Sequence, residues 1–134
     1  MRVLVDTPIW SLALRRRHRA ANESTTAELT SLIQDGRAVL LGAIRQELLS
    51  GIREHVQFER VREHLRAFPD LEVSRDDYEE AATFYNVCRA KGIQGSNTDF
   101  LICAIAARND FSIFTTDGDF THFARLLPIA LHTP

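Results

Sequence analysis

The sequence predicts an α/β fold built on a parallel sheet. Two observations carry that expectation. Short apolar segments alternate with amphipathic stretches of helical period along the whole chain, the pattern of strands joined by helical crossovers. Carboxylates also recur where those segments end or where a helix begins. Asp6 follows Val3-Leu4-Val5, Glu47 lies in the helix after Ala38-Val39-Leu40-Leu41, and Asp117 follows Ser112-Ile113-Phe114. Asp99 opens the most apolar helix. No internal repeat, low-complexity tract or linker interrupts the pattern, so the 134 residues are expected to form one domain.

The elements follow in order. Arg2 to Val5 reads as a first strand, apolar enough to be buried on both faces. Asp6-Thr7-Pro8 turns into a helix with Pro8 at its first position. A second helix runs from about Thr25 to Asp35, with Thr25 and Glu28 spaced as a capping box and Gly36 as its stop. Ala38 to Leu41 is the second strand, and Gly42 opens a short helix from Ala43 to Ser50. A fourth helix covers roughly Glu54 to Phe68 and ends at Pro69. Leu71-Glu72-Val73 is expected as a weak strand. Ser74 and Asp77 cap the next helix, whose inner face is read as Tyr78, Ala81, Ala82, Tyr85 and Cys88. Ser96 to Arg108 has no wide polar face and is expected at the centre of the molecule. Ser112 to Phe114 forms a strand, Phe120 to Arg125 a short helix, and Pro128 to Leu131 a last edge strand.

Composition narrows the function. A hydrophobic content of 45% with 25% charged residues is that of a soluble globular chain able to bury a core without staples. No apolar run approaches the roughly 20 residues that span a bilayer, and the N-terminal stretch is too short for a signal peptide. A cytoplasmic protein is the expectation. Cys88 and Cys103 lie in apolar helical patterns without a CxxC or a Cys/His neighbour, so both read as free buried thiols. The net charge of −2 argues against a general nucleic-acid coat. Lys91 is the only lysine. The densest basic run is Arg15-Arg16-Arg17-His18-Arg19, readable either as a solvated helix end or as an RNA- or partner-contacting patch. The sequence has no GxGxxG, P-loop, HExxH or GxSxG motif, and His18, His55, His64, His122 and His132 show no ligand spacing.

Each acid has an ordinary explanation. Asp6 suits a helix cap, Glu47 a solvated helix face, Asp99 the capping box of Ser96-Asn97-Thr98-Asp99, and Asp117 and Asp119 the turn chemistry of Asp-Gly-Asp. Four acids at equivalent positions of one sheet are harder to explain that way. Gathered at its carboxyl edge, where open α/β sheets bind ligands, they would repel one another without a cation. An oxygen-only donor set selects a hard ion such as Mg²⁺ or Mn²⁺. Metal-dependent phosphate chemistry is the reaction such a set points to.

These segments, read together, resemble the PIN domain. The resemblance rests on Val3-Leu4-Val5-Asp6-Thr7, Gln46-Glu47-Leu48-Leu49-Ser50-Gly51, Asp99-Phe100-Leu101-Ile102-Cys103-Ala104-Ile105-Ala106 and Thr115-Thr116-Asp117-Gly118-Asp119-Phe120, in that order over nearly the whole chain. The size is similar to the VapC toxin branch, the toxin half of type II toxin–antitoxin modules. The resemblance implies a three-layer α/β/α sandwich and a Mg²⁺- or Mn²⁺-dependent endoribonuclease cleaving structured cellular RNA. It implies catalytic positions at Asp6, Glu47, Asp99 and Asp117, metal ligands at Asp6, Asp99 and Asp117, and supporting positions at Thr115 and Asp119. Arg15, Arg16, Arg17 and Arg19 would hold the RNA backbone. It implies a VapB-like antitoxin partner, DNA contacted only through that partner, and a homodimer. Family members often have Ser or Asn where this chain has Pro8, which removes a donor near Asp6. A non-catalytic PIN-like module binding RNA or a partner is the alternative. A hydrolase of the haloacid dehalogenase type would need a second Asp where Pro8 stands.

Overall fold

The computed structural model describes residues 1–14 and 23–134. Four strands pair in the order β2-β1-β3-β4: β1 Val3–Val5, β2 Ala38–Val39, β3 Ser112–Phe114 and β4 Ala130–Leu131. Every pairing is parallel. Leu4 pairs with Val39 on one side and Ile113 on the other, and Val5 pairs with Phe114. Residues 3–5 and 112–114 are buried throughout, as a sheet covered on both faces requires.

Seven helices among the described residues flank this sheet in an α/β/α arrangement: α1 Thr7–Leu14, α2 Glu23–Gln34, α3 Gly42–Leu49, α4 His55–Leu65, α5 Arg75–Ala90, α6 Asn97–Asn109 and α7 Asp119–Leu126. The main helix contacts fall into two groups. α1 packs on α2 and α3, and α3 on α4, while α5 packs on α6 and α7. α6 is buried continuously from Phe100 to Ala106, as its all-apolar sequence requires, and ends at Asp110 in the left-handed region with φ of 57°. Trp10 is 1% exposed and donates its indole N–H to the Val5 carbonyl at 3.1 Å, which satisfies the ring's one polar atom. Trp10 is therefore a core residue, and Leu65 of α4 is fully buried as well. No helix among the described residues is long and apolar enough to cross a membrane.

The chain departs from the sequence expectations in three places. α2 begins at Glu23, which puts Thr25 inside its first turn. Glu28 pairs instead with His132 Nε2 at 3.2 Å. Leu71–Val73 forms no strand; the pairing there is a single bridge between Leu40 and Asp70. Arg45 holds that segment, reaching Asp70 at 2.9 Å and the carbonyls of Leu65 and Phe68. The core face of α5 is Asp77, Ala81, Phe84 and Cys88, whereas Tyr78 is 57% exposed. A buried acid caused that difference. Asp77 accepts from Ser74 N–H at 2.9 Å and from Arg108 Nε at 2.8 Å, so a charged residue sits where an apolar one was sought. Both cysteines are free and buried, as expected.

Gly95 governs the approach to α6. A Cβ there would stand 2.7 Å from Phe123 Cζ and 3.0 Å from Phe100 Cε2. Both rings are buried and tilted against each other at 4.9 Å, so neither can retreat cheaply. Gly95→Ala is expected to destabilise the fold by about 1–3 kcal/mol, the usual range for overpacking. Urea unfolding checks this: the midpoint falls while the m-value is unchanged.

Candidate functional site

The strand order places a topological switch between β1 and β3. β1 connects onward to β2 on one side, and the chain later returns to β3 on the other. Connections leaving the carboxyl ends of two such strands diverge and open a crevice. Asp6 leaves β1 at this point, and Thr115 leaves β3.

An open cavity of about 640 Å³ lies there, lined by Asp6, Glu47, Asp99 and Asp117 together with the neutral polar side chains of Ser11, Gln46 and Ser50. The four predicted acids are thus brought to one place from β1, α3, α6 and the turn after β3. Among the described residues, none that lines the cavity is basic. Among the described residues no three His, Cys, Asp or Glu side chains stand in a group tight enough to ligate a metal. The donor chemistry, all oxygen and all anionic, fits a hard divalent ion.

Each acid is held differently. Asp6, 4% exposed, accepts from the Thr7 N–H through Oδ1 at 2.8 Å and from the Thr115 hydroxyl through Oδ2 at 2.8 Å. The Thr115 hydroxyl in turn accepts from the Asp117 N–H at 3.0 Å. Asp117 Oδ1 accepts from the Asp119 N–H at 2.9 Å, closing an Asx turn. Asp99 is the capping residue the sequence suggested, and it lines the cavity as well. Its Oδ2 accepts from Ser96 N–H at 3.0 Å, and Ser96 Oγ accepts from Asp99 N–H at 3.0 Å. Glu47 projects from α3 and accepts from the Thr7 hydroxyl through Oε1 at 2.6 Å.

Thr115 therefore joins two of the acids. Asp119 contributes its backbone N–H to Asp117, and its carboxylate is not among the groups lining the cavity. Arg15, Arg16, Arg17 and Arg19 lie outside the described residues. Sequence reasoning passed over Thr7 as a partner of Glu47. Its only local signal was a hydroxyl next to Asp6, and its partner lies 40 residues away.

Electrostatics follow from burial and like charge. Burial is the main cause that pushes the Asp6 carboxyl up to about 6, opposed by its bonds from Thr115 and Thr7 and reinforced by Asp99 and Glu47. Asp99 is raised chiefly by burial, with Asp117 and Glu47 adding to it against the Ser96 cap. Cys103, buried behind Asp99, is raised as well and stays a thiol.

A raised carboxyl destabilises the folded chain once it must ionise. The unfolded value is about 4. Below it both states are protonated and no penalty arises. As pH rises through the interval up to about 6, the native state alone resists losing the proton, and stability falls. Above about 6 the full penalty remains, up to on the order of 3 kcal/mol. Asp6→Asn is therefore expected to raise the melting temperature of metal-free protein at pH 7 and to leave it nearly unchanged at about pH 4. Calorimetry in EDTA at the two pH values tests this, and equal effects at both would refute it.

The PIN domain family profile matches residues 3–126. No curated protein sequence matches the chain. FitAcB from Neisseria gonorrhoeae is similar in structure over 98% of this chain and 97% of its own, with a TM-score of 0.77 and 22% identity. VapBC2 from Rickettsia felis, solved with a DNA fragment from its promoter, is similar over 98% of each chain, with a TM-score of 0.75 and 17% identity. A toxin–antitoxin complex from Klebsiella pneumoniae is similar over 88% of this chain and 89% of its own, with a TM-score of 0.64 and 19% identity. At such identities the likeness is one of fold. The profile match runs from the first residue of β1 to the last residue of α7 and so takes in every acid-bearing segment: the chain belongs to the PIN domain family.

Proposed function

We propose that this chain is a metal-dependent endoribonuclease, the VapC-like toxin of a type II toxin–antitoxin module. One observation carries the reading: four carboxylates from four separate segments line a single cavity. Burial and mutual repulsion raise two of them, an arrangement that a bound cation would relieve.

Asp6, Asp99 and Asp117 would hold Mg²⁺ or Mn²⁺, with Glu47, the fourth catalytic acid, adding its carboxylate to the same ion. A bound divalent ion supplies a lowered pKa for water and charge neutralisation at a phosphodiester. The chain's own groups supply the rest. The two threonine hydroxyls and the Thr7 N–H fix the direction of the Asp6 oxygens and of Glu47. The Ser96 cap fixes one oxygen of Asp99 and leaves Oδ1 for the cavity. Ser11, Gln46 and Ser50 offer neutral hydrogen-bond groups on the rim, suited to the ribose and phosphate oxygens of RNA.

The partner follows from the structural neighbours. VapBC2 and FitAB were solved bound to DNA, and the Klebsiella pneumoniae structure is a toxin–antitoxin complex. A VapB-like antitoxin is proposed for this chain, with DNA contacted through it, and a toxin homodimer completes the assembly.

A second reading, a PIN-like module that binds RNA or a partner without cleaving, is favoured by one observation: the acids do not form a tight ligand group. The two readings differ in metal binding. Purified protein with total cellular RNA and Mg²⁺ or Mn²⁺ is expected to give discrete fragments. EDTA should abolish them, and Asp6→Asn or Asp99→Asn should lower the rate at least about a hundredfold. Expression is expected to arrest growth, and the same substitutions should relieve the arrest. Fragments that persist in both variants would refute the site; no cleavage together with no Mn²⁺ binding would favour the second reading.

A further inference from the structure

We propose that Thr7 is the positioning residue of Glu47, and through it of divalent-metal binding at the site; this rests on the metal-dependent reading above. Three of the four acids take a bond from within their own segment, and Asp6 takes a second from Thr115. Asp6 takes the adjacent Thr7 N–H, Asp99 takes the cap of its own helix, and Asp117 takes the N–H two residues on. Glu47 is the exception. It lies on the exposed face of an eight-residue helix, and its bond among the described residues comes from another element. A free glutamate side chain populates many rotamers, and ordering it costs conformational entropy. One short bond to the Thr7 hydroxyl, 2.6 Å long, removes that freedom before any ligand arrives.

The local chain explains why this hydroxyl points outward. A threonine inside a helix usually turns its hydroxyl back to a carbonyl three or four residues earlier. Thr30 and Thr83 do so, bonding to the carbonyls of Thr26 and Glu79. Thr7 is the first residue of α1, and the residue four before it is Val3 in a strand. No helical carbonyl lies behind it, so the hydroxyl is free to cross to α3. Its backbone N–H meanwhile holds Asp6 Oδ1 at 2.8 Å, so one residue ties together acids from β1 and α3. Pro8 has no N–H to offer, and Thr7 supplies both donors of the turn. Branching at Cβ keeps the hydroxyl in its rotamer.

The test compares wild type, Thr7→Val, Thr7→Ser, Glu47→Ala and the Thr7→Val/Glu47→Ala double variant. Mn²⁺ affinity by titration calorimetry and metal-free melting temperature are the readouts. Thr7→Val is expected to weaken Mn²⁺ binding about 10- to 100-fold, the usual loss when an outer partner of a ligand is removed. Thr7→Ser restores most of the affinity, and the metal-free melting temperature changes little. In the Glu47→Ala background, which lacks the acceptor, Thr7→Val is expected to add no further loss, because the two act through one bond. Thr7→Ala stands in where Val disturbs folding. Wild-type Mn²⁺ affinity in Thr7→Val and Thr7→Ala would overturn the assignment, as would a fully additive double variant. Absence of Mn²⁺ binding in the wild type itself would instead overturn the metal-dependent reading, and this inference with it.

Discussion

The parallel pairing of β1 with β3 is the constraint on which the site depends. Val5 opposite Phe114 brings Asp6 and Thr115 side by side, although they stand 109 residues apart. Both strands are only three residues long, so their ladder alone is a weak tether. Burial fixes it. A slip of one residue would turn every side chain of a strand to the opposite face, and neither face of β1 has room for that while Trp10 is anchored to the Val5 carbonyl. The same pair marks the switch in strand order, so the register that aligns Asp6 with Thr115 also opens the crevice beside them.

The site trades stability for readiness. Like charges converge without a basic partner among the described residues lining the cavity, and burial makes Asp6 and Asp99 harder to ionise. Short-range donors keep the carboxylates in place despite this: a backbone N–H, two threonine hydroxyls, a serine cap and an Asx turn. These bonds fix direction without supplying positive charge. The folded chain tolerates the penalty because the core beneath it is continuous. α6 carries Asp99 at its mouth and then seven consecutive buried residues. The apolar helix that anchors the core thus also aims one of the acids.

Much of this was legible in the residues. The capping boxes at Ser74 and Ser96 formed as their spacing indicated, because both partners of a box lie within one turn. β1 and β3 were legible as apolar runs ended by a polar residue. Misreadings arose where a distant partner outweighed a local preference. Thr25 and Glu28 have capping spacing, yet Glu28 bonds to His132 at the other end of the chain. The inner face of α5 was misjudged because Asp77 is buried by an ion pair with Arg108, 31 residues on. Leu71 to Val73 has strand-like residues but meets the sheet only through Asp70.

The sequence by itself determined the chemical identity of the candidate site and its placement along the chain: oxygen donors only, each just after a strand or in a helix that follows, with polar neighbours able to hold them. Local patterns encode that much, since strand ends, caps and turns are settled within a few residues. Tertiary structure decided what crosses between elements. It placed four acids in one cavity, sent the Thr7 hydroxyl to Glu47 rather than to its own helix, and used the backbone of Asp119 rather than its carboxylate. The physical reason is that register and packing set the distances between segments far apart in sequence, and no local pattern contains them.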